Sequence, residues 1–170
     1  ALGLAHNRPD SIETAGNKRY LREVLTAAGL PQARFDVLPI EGPAKNRIGF
    51  PCVVKPLAMS ASRGVVRADD QVGFAAAFDR VAAIVRAEDP GLRNPASRSV
   101  LVESFLPGVE VALEGLLDNG VLTTLAIFDK PDPLDGPFFE ETIYVTPSRL
   151  GSSEQEAVER AVALAVSAVG

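Results

Sequence analysis

The stretch that most constrains the fold runs from Pro51 to Phe105, where short apolar runs and one helical pattern alternate with little slack between them. Pro51 to Pro56 is short and apolar, and so is Val65 to Ala68; both read as strands. Between them, Leu57-Ala58-Met59-Ser60-Ala61-Ser62-Arg63-Gly64 is a run of mostly small residues that suits a hairpin loop. Asp69 or Asp70 caps a following helix whose core face is Phe74, Phe78, Val81 and Val85. Residues 88–99 are polar, carry Pro90, Gly91 and Pro95, and read as loop. Val100 to Phe105 is the next strand. Together these elements predict a strand–strand–helix–strand unit of about 60 residues, small for an independent domain.

The flanks extend the pattern. Leu21, Val24, Leu25 and Ala28 recur at helical spacing, Gly29 supplies a left-handed stop, and Pro31 follows. Residues 36–47 read as connection, with Pro39, Gly42 and Pro43 as breakers. Beyond Leu106-Pro107-Gly108, Val109 to Leu117 alternates, with Glu110 and Glu114 on one face. Asp118-Asn119-Gly120 is a hairpin turn that returns Val121 to Phe128 as partner strand. A Pro-rich loop follows, and Phe139 to Thr146 predicts a third antiparallel strand. Ser153 with Glu156 predicts the capping box of a last helix carrying Val158, Val162, Val166 and Val169 along one side. The fold class is therefore α+β. Three parts are expected: an N-terminal helical segment and linker at 1–47, the compact unit at 48–106, and a sheet with its helix at 107–170.

Composition narrows the function classes. Hydrophobic residues make up 46% and charged residues 23%, enough apolar material for a core. The net charge is −5 and Lys and Arg form no stripe, which argues against nucleic acid or an anionic membrane as main partner. Cys52 is the single cysteine, so an internal disulfide and a thiolate metal cluster are out; its apolar surroundings make it a small buried hydrophobe. His6 is the single histidine, which rules out a multi-histidine metal site. No apolar stretch approaches the roughly 20 residues of a membrane span, and no signal peptide opens the chain, so a soluble cytoplasmic protein is expected. A start at Ala1 and a stop directly after an amphipathic helix are read as cuts inside a longer protein.

Two constellations can carry chemistry. Lys55 ends an apolar strand and shares a face with Val53, and the small-residue loop follows directly. Its stem is packed there and its ammonium is aimed at whatever the loop encloses, while backbone N–H groups of such a loop can reach phosphate oxygens. An edge lysine guarding a hairpin fits the same local sequence. The loop is neither a Walker A motif nor a dinucleotide glycine fingerprint, because it has no Gly-Lys-Ser/Thr and one glycine only. In the second constellation, Glu103 closes a strand, the turn Leu106-Pro107-Gly108 follows, and Glu110 comes seven residues after Glu103. Carboxylates accept hydrogen bonds from an adenine amine or ribose hydroxyls, and a linking segment leaves backbone groups for a base edge. Solvent-facing strand glutamates would look the same.

Taken in order, these segments resemble the ATP-grasp superfamily, and within it the biotin-carboxylase-like carboxylate–amine ligases. The resemblance starts at Asn17-Lys18-Arg19-Tyr20-Leu21-Arg22 and Ala28-Gly29-Leu30-Pro31. It continues through Gly49 to Pro56, the Ser60–Gly64 loop and Leu101 to Glu110. It closes with Asp129-Lys130-Pro131, Gly136 to Glu141, and Pro147. The resemblance implies ATP as ligand, with Lys18 and Lys55 on its phosphates and Ser60 and Ser62 in a closing lid loop. It further implies Glu103 facing the adenine amine, the backbone of Ser104 and Leu106 on the base edge, and Glu110 on the ribose. Lys130, Glu140 and Arg149 fall where related ligases shape the acceptor site.

Family members also bind Mg2+ through acidic residues on strands after the helix that ends this chain, so the metal ligands are expected beyond Gly170. The implied chemistry activates a small-molecule carboxylate as an acyl phosphate for attack by an amine. A nucleotide-binding module or excised subdomain without chemistry remains the other reading. A CoA ligase or phosphotransferase is a third outcome, and no segment here resembles the phosphohistidine part that the last requires.

Overall fold

A computed structural model describes residues 6–139 and 143–170. Two helices open it, α1 (Pro9–Gly16) and α2 (Lys18–Ala27), followed by strands β1 (Phe35–Pro39), β2 (Cys52–Pro56) and β3 (Val66–Ala68). Helix α3 (Gln71–Glu88), strand β4 (Ser99–Ser104), the hairpin β5 (Val111–Asp118) and β6 (Val121–Asp129), and helix α4 (Ser152–Val169) complete it. The architecture is α+β: an antiparallel four-stranded sheet in the order β1-β4-β2-β3, and a separate two-stranded sheet of β5 and β6.

The four-stranded sheet has one apolar face and one mixed face, and strand alternation assigns every residue to one of them. Cys52 and Val54 of β2, Val66 and Ala68 of β3, and Val100 and Val102 of β4 join one buried cluster with Phe74, Ala77, Phe78, Val81, Ala82 and Val85 of α3. That helix face repeats at the spacing expected of a stripe packed on a sheet, and each of its Phe and Val side chains contributes about 1.5–3 kcal/mol by leaving water. Asp70 caps α3, its carboxylate accepting from the Gly73 N–H at 2.7 Å. Cys52 is fully buried and unpaired, and burial pushes its thiol up to about 11. On the opposite face, Phe35, Glu103, Val53 and Arg67 lie side by side across the four strands, with Leu101 beside Lys55 one step along.

Four differences from the sequence reading have physical causes. Residues 36–39, expected to be connection, belong to edge strand β1; Pro39 is tolerated because an edge strand has N–H groups to spare. Helix α1 was not foreseen: Pro9 stands at its start and Asp10 in its first turn, but Ser11 is its sole buried residue, so it shows no apolar stripe. The last helix begins at Ser152, and its cap is Gly151, whose N–H donates to the Glu154 carboxylate at 2.8 Å, rather than Ser153 with Glu156. The third antiparallel strand at Phe139 to Thr146 is replaced, among the described residues, by two isolated bridges. Phe138, just before that stretch, pairs with Val66, and Val145 within it pairs with Asp129, while residues 140–142 of the expected strand lie outside the described residues. The Asp118-Asn119-Gly120 turn forms as expected, with φ of 49° at Asn119 and 81° at Gly120, the doubly left-handed geometry that tight hairpins favour.

Candidate nucleotide site

The mixed face of the sheet is roofed at one end by α2. Lys18 and Arg22 are one helical turn apart on that helix and therefore point the same way. The Lys18 backbone N–H donates to the Leu57 carbonyl at 3.0 Å, fixing the start of α2 to the end of β2. Its ammonium donates to the Met59 carbonyl at 2.5 Å, at the entrance of the small-residue loop. Arg22 donates from Nε to Glu103 Oε1, and Lys55 pairs with Glu103 Oε2. Glu103 is 4% exposed, so both its oxygens are met by cations in a site from which water is largely removed.

Electrostatics follow from this packing. Burial lowers the Lys18 pKa, and the neighbouring Lys55 charge lowers it further. Burial acts to raise the Glu103 pKa, but the Arg22 hydrogen bond and the Lys55 charge outweigh it and hold the carboxyl below its ordinary value. Three cationic side chains thus surround one carboxylate, a local excess of positive charge in a chain of net charge −5. Such an arrangement attracts a multiply charged anion.

A cleft of about 380 Å3 opens here, and every residue that the sequence assigned to ATP lines it: Lys18, Lys55, Ser60, Ser62, Glu103, Ser104, Leu106 and Glu110. The loop that carries Ser60 and Ser62 turns sharply, with φ of 54° at Ala61, 52° at Ser62 and 73° at Gly64. Left-handed backbone at Ala61 and Ser62 costs on the order of 1 kcal/mol each. Phe105 and Phe139 supply aromatic surface in the same cleft, with ring centroids 6.5 Å apart. The Arg67 guanidinium lies 4.2 Å from the centre of the Phe105 ring and donates to the Asp135 carbonyl at 2.6 Å. Gly136 leaves room for it: a Cβ there would meet the Arg67 Cβ at 2.8 Å.

A second cleft of about 820 Å3 adjoins the first and shares Leu106 and Glu110 with it. Lys130 and Arg149, expected at an acceptor site, both line it. Lys130 pairs with the Glu110 carboxylate at 2.5 Å and has its ammonium 5.3 Å from the Tyr144 ring centre. Asp129 accepts from Ser148 Oγ at 2.5 Å and from the Arg149 N–H at 3.0 Å, and these bonds hold its carboxyl below the usual range. Glu140 lies outside the described residues. Sequence reading passed over Arg22, Arg67 and Asp129. The four-residue spacing of Lys18 and Arg22 was the available signal for the first; Arg67 and Asp129 gave none until the strands were in register.

Known proteins share the sequence pattern and the fold of this chain. Residues 48–170 match the family model described as an ATP-grasp domain. An L-amino acid ligase from Bacillus licheniformis has a similar structure, with a TM-score of 0.86 and 32% identity over 99% of this chain and 40% of that one. Alanine–anticapsin ligase of Bacillus subtilis is 24% identical over 99% of this chain and 38% of its own length. Phosphoribosylamine–glycine ligase of Allochromatium vinosum is 30% identical over 70% of this chain and 27% of its own. The chain thus spans well under half the length of these relatives. With the family match running from β2 through α4 and a ligase structure superposing on nearly the whole chain, this protein belongs to the ATP-grasp family.

Proposed function

We propose that the chain is the ATP-binding region of a cytoplasmic carboxylate–amine ligase. The observation that carries this reading is the convergence of Lys18, Arg22 and Lys55 on one buried carboxylate, continuous with the segment from Glu103 to Leu106. In this reading Lys18 and Lys55 take the phosphates, Glu103 accepts from the adenine amine, and the backbone of Ser104 and Leu106 meets the base edge. Glu110 takes the ribose, and Ser60 and Ser62 close over the phosphates. Lys130 and Arg149 face the acceptor in the adjoining cleft. The division into 1–47, 48–106 and 107–170 belongs to the same proposal, with the N-terminal segment lending β1 to the central sheet.

The chemistry transfers the γ-phosphoryl group to a substrate carboxylate. A carboxylate oxygen bonds to phosphorus, the bond to the bridging oxygen breaks, and ADP leaves. An amine nitrogen then attacks the acyl carbon and inorganic phosphate departs. Fixed cations that meet charge developing on the transferred group are most of what such a step asks of a protein. The names of the relatives, which join alanine, glycine or another amino acid, support an amino-acid carboxylate as substrate class.

Mg2+, which the resemblance implies, does not fit the described residues. No three His, Cys, Asp or Glu side chains converge among them, and Glu103 and Glu110 are each engaged by cations. No step is therefore derived through a metal.

Calorimetry of ATP binding tests the site. Lys55→Ala removes one charge-assisted contact and is expected to weaken ATP by roughly 1.5–3 kcal/mol; unchanged affinity would overturn the phosphate role. A binding module without chemistry would hold ATP equally well and release no ADP when amino acids are supplied, which separates it from a ligase.

A further inference from the structure

We propose that Arg22 makes this cleft select adenine over guanine, by holding Glu103 as a carboxylate that can only accept hydrogen bonds. The inference rests on the reading that Glu103 faces the base. Adenine presents an amine where guanine presents a carbonyl oxygen. An ionised carboxylate accepts from the amine and repels the carbonyl oxygen, whereas a protonated carboxyl can donate to that oxygen. Selectivity therefore depends on the protonation state of Glu103.

Its surroundings pull that state in opposite directions. Glu103 is 4% exposed, and its register neighbours across the sheet are Val53 and Phe35, so desolvation favours the proton. The charged groups that face it are Lys18 and Arg22 from α2 and Lys55 from β2. On β1, the residues of the same face are Phe35 and Val37; on β3, Arg67 stands behind Val53. Glu110 lines the same cleft farther along.

Of the three near cations, Lys18 spends its ammonium on the Met59 carbonyl, and burial already disfavours its charge. Lys55 pairs with Oε2 in the empty cleft but is the side chain that phosphates would draw away. Arg22 alone among them bonds Oε1 directly, through a planar guanidinium whose geometry suits a carboxylate. It reaches Glu103 from α2, one helical turn beyond Lys18, and takes the carboxylate oxygen that Lys55 does not. When nucleotide recruits Lys55, Arg22 is the partner that keeps Glu103 ionised. It acts on the base through Glu103, as a positioning residue.

The test measures dissociation constants of ATP and GTP for wild type, Arg22→Gln and Arg22→Lys, from neutral to mildly acidic pH. Wild type is expected to prefer ATP by at least about tenfold, since a site built to accept from an amine rejects its carbonyl counterpart strongly, and to do so at every pH. In Arg22→Gln the preference falls several-fold at neutral pH and further as the pH drops; Arg22→Lys restores most of it. Equal loss of both nucleotides in Arg22→Gln, or a preference that stays at the wild-type value at all pH, overturns the inference. Wild type that binds neither nucleotide overturns the nucleotide reading itself, a separate outcome. If circular dichroism shows Arg22→Gln unfolded, carboxyl 13C NMR of Glu103 decides between wild type and Arg22→Lys. A Glu103 titration that Arg22→Lys leaves unmoved, or one above 4.5, its ordinary value, in wild type, overturns the inference; one below that value in wild type and higher in Arg22→Lys sustains it.

Discussion

The central sheet with α3 and the hairpin with α4 are built from similar amounts of regular structure but differ in how they are held. In the first, both partners of the interface are present: Phe74, Val81, Val54, Val100 and Val102 are completely buried against one another. In the second, Ile127 is the one buried hydrophobic residue of the hairpin, α4 buries none of its residues, and Leu116, Val121, Leu125 and Leu164 are largely exposed. The candidate site straddles the two. Lys55 and Glu103 stand on strands whose other face packs against α3, while Glu110, Lys130 and Arg149 are arranged by ion pairs and hydrogen bonds beside the thinly packed hairpin. The packed support of the cleft is therefore greatest beneath Lys55 and Glu103.

The contrast breaks first on large-to-small substitutions. Phe74→Ala is expected to cost about 3–5 kcal/mol in denaturant unfolding, whereas Leu125→Ala on the hairpin stays within about 0.5 kcal/mol. A comparable cost at both positions would show the hairpin to be packed as tightly as the sheet.

A smaller effect separates the two sets of carboxylates in acid. The folded Glu103 pKa lies below its ordinary value, so its contribution is complete above pH 4.5 and is lost as pH falls through the folded pKa. Glu103→Gln should therefore be less stable than wild type at neutral pH, with the gap closing in acid. Asp129→Asn, at a carboxylate less buried than Glu103 and with the same direction of shift, should show the same trend with a smaller gap. A gap for Glu103→Gln that does not depend on pH would mean that its ion pairs add nothing.

The smallest effect concerns residues 59–64. Their backbone carries unfavourable φ values and two turn hydrogen bonds, from Arg63 to Ser60 at 3.3 Å and from Val65 to Ser62 at 3.1 Å. Few contacts oppose local opening, so amide exchange there should be fast in the empty protein and slower with ATP, while Val53 and Val54 stay protected throughout. Full protection without ATP would remove the mobile lid, and protection indifferent to ATP would remove the loop from the site.

How much of this was legible in sequence tracks the same division. Strands β2 and β4, helix α3 and the Asn119-Gly120 turn were readable because burial imposes periodicity and left-handed turns impose residue type. Lys18, Lys55, Glu103 and Glu110 were singled out through ordered motifs that resemble a family; the structure brings them to one cleft, and strand alternation explains why Lys55 and Glu103 meet. Where packing is thin, the reading failed: α1 shows no stripe, β1 carries an edge proline, and Phe138 and Val145 make single bridges to different sheets. Arg22 escaped because its partner lies 81 residues away, and its four-residue spacing from Lys18 was the one local mark it carried.

The row of Phe35, Glu103, Val53 and Arg67 across the strands has a consequence for how such a site can change over time. Strand side chains alternate between faces, so one residue inserted within β2 ahead of Lys55 would send the lysine into the helix-covered interior and bring a valine out to the cleft. Core and cleft are two readings of one register, and a length change of one damages both together. Two residues at once, or none, is the rule this sheet sets, whereas the loops that join its strands remain free to vary by any number.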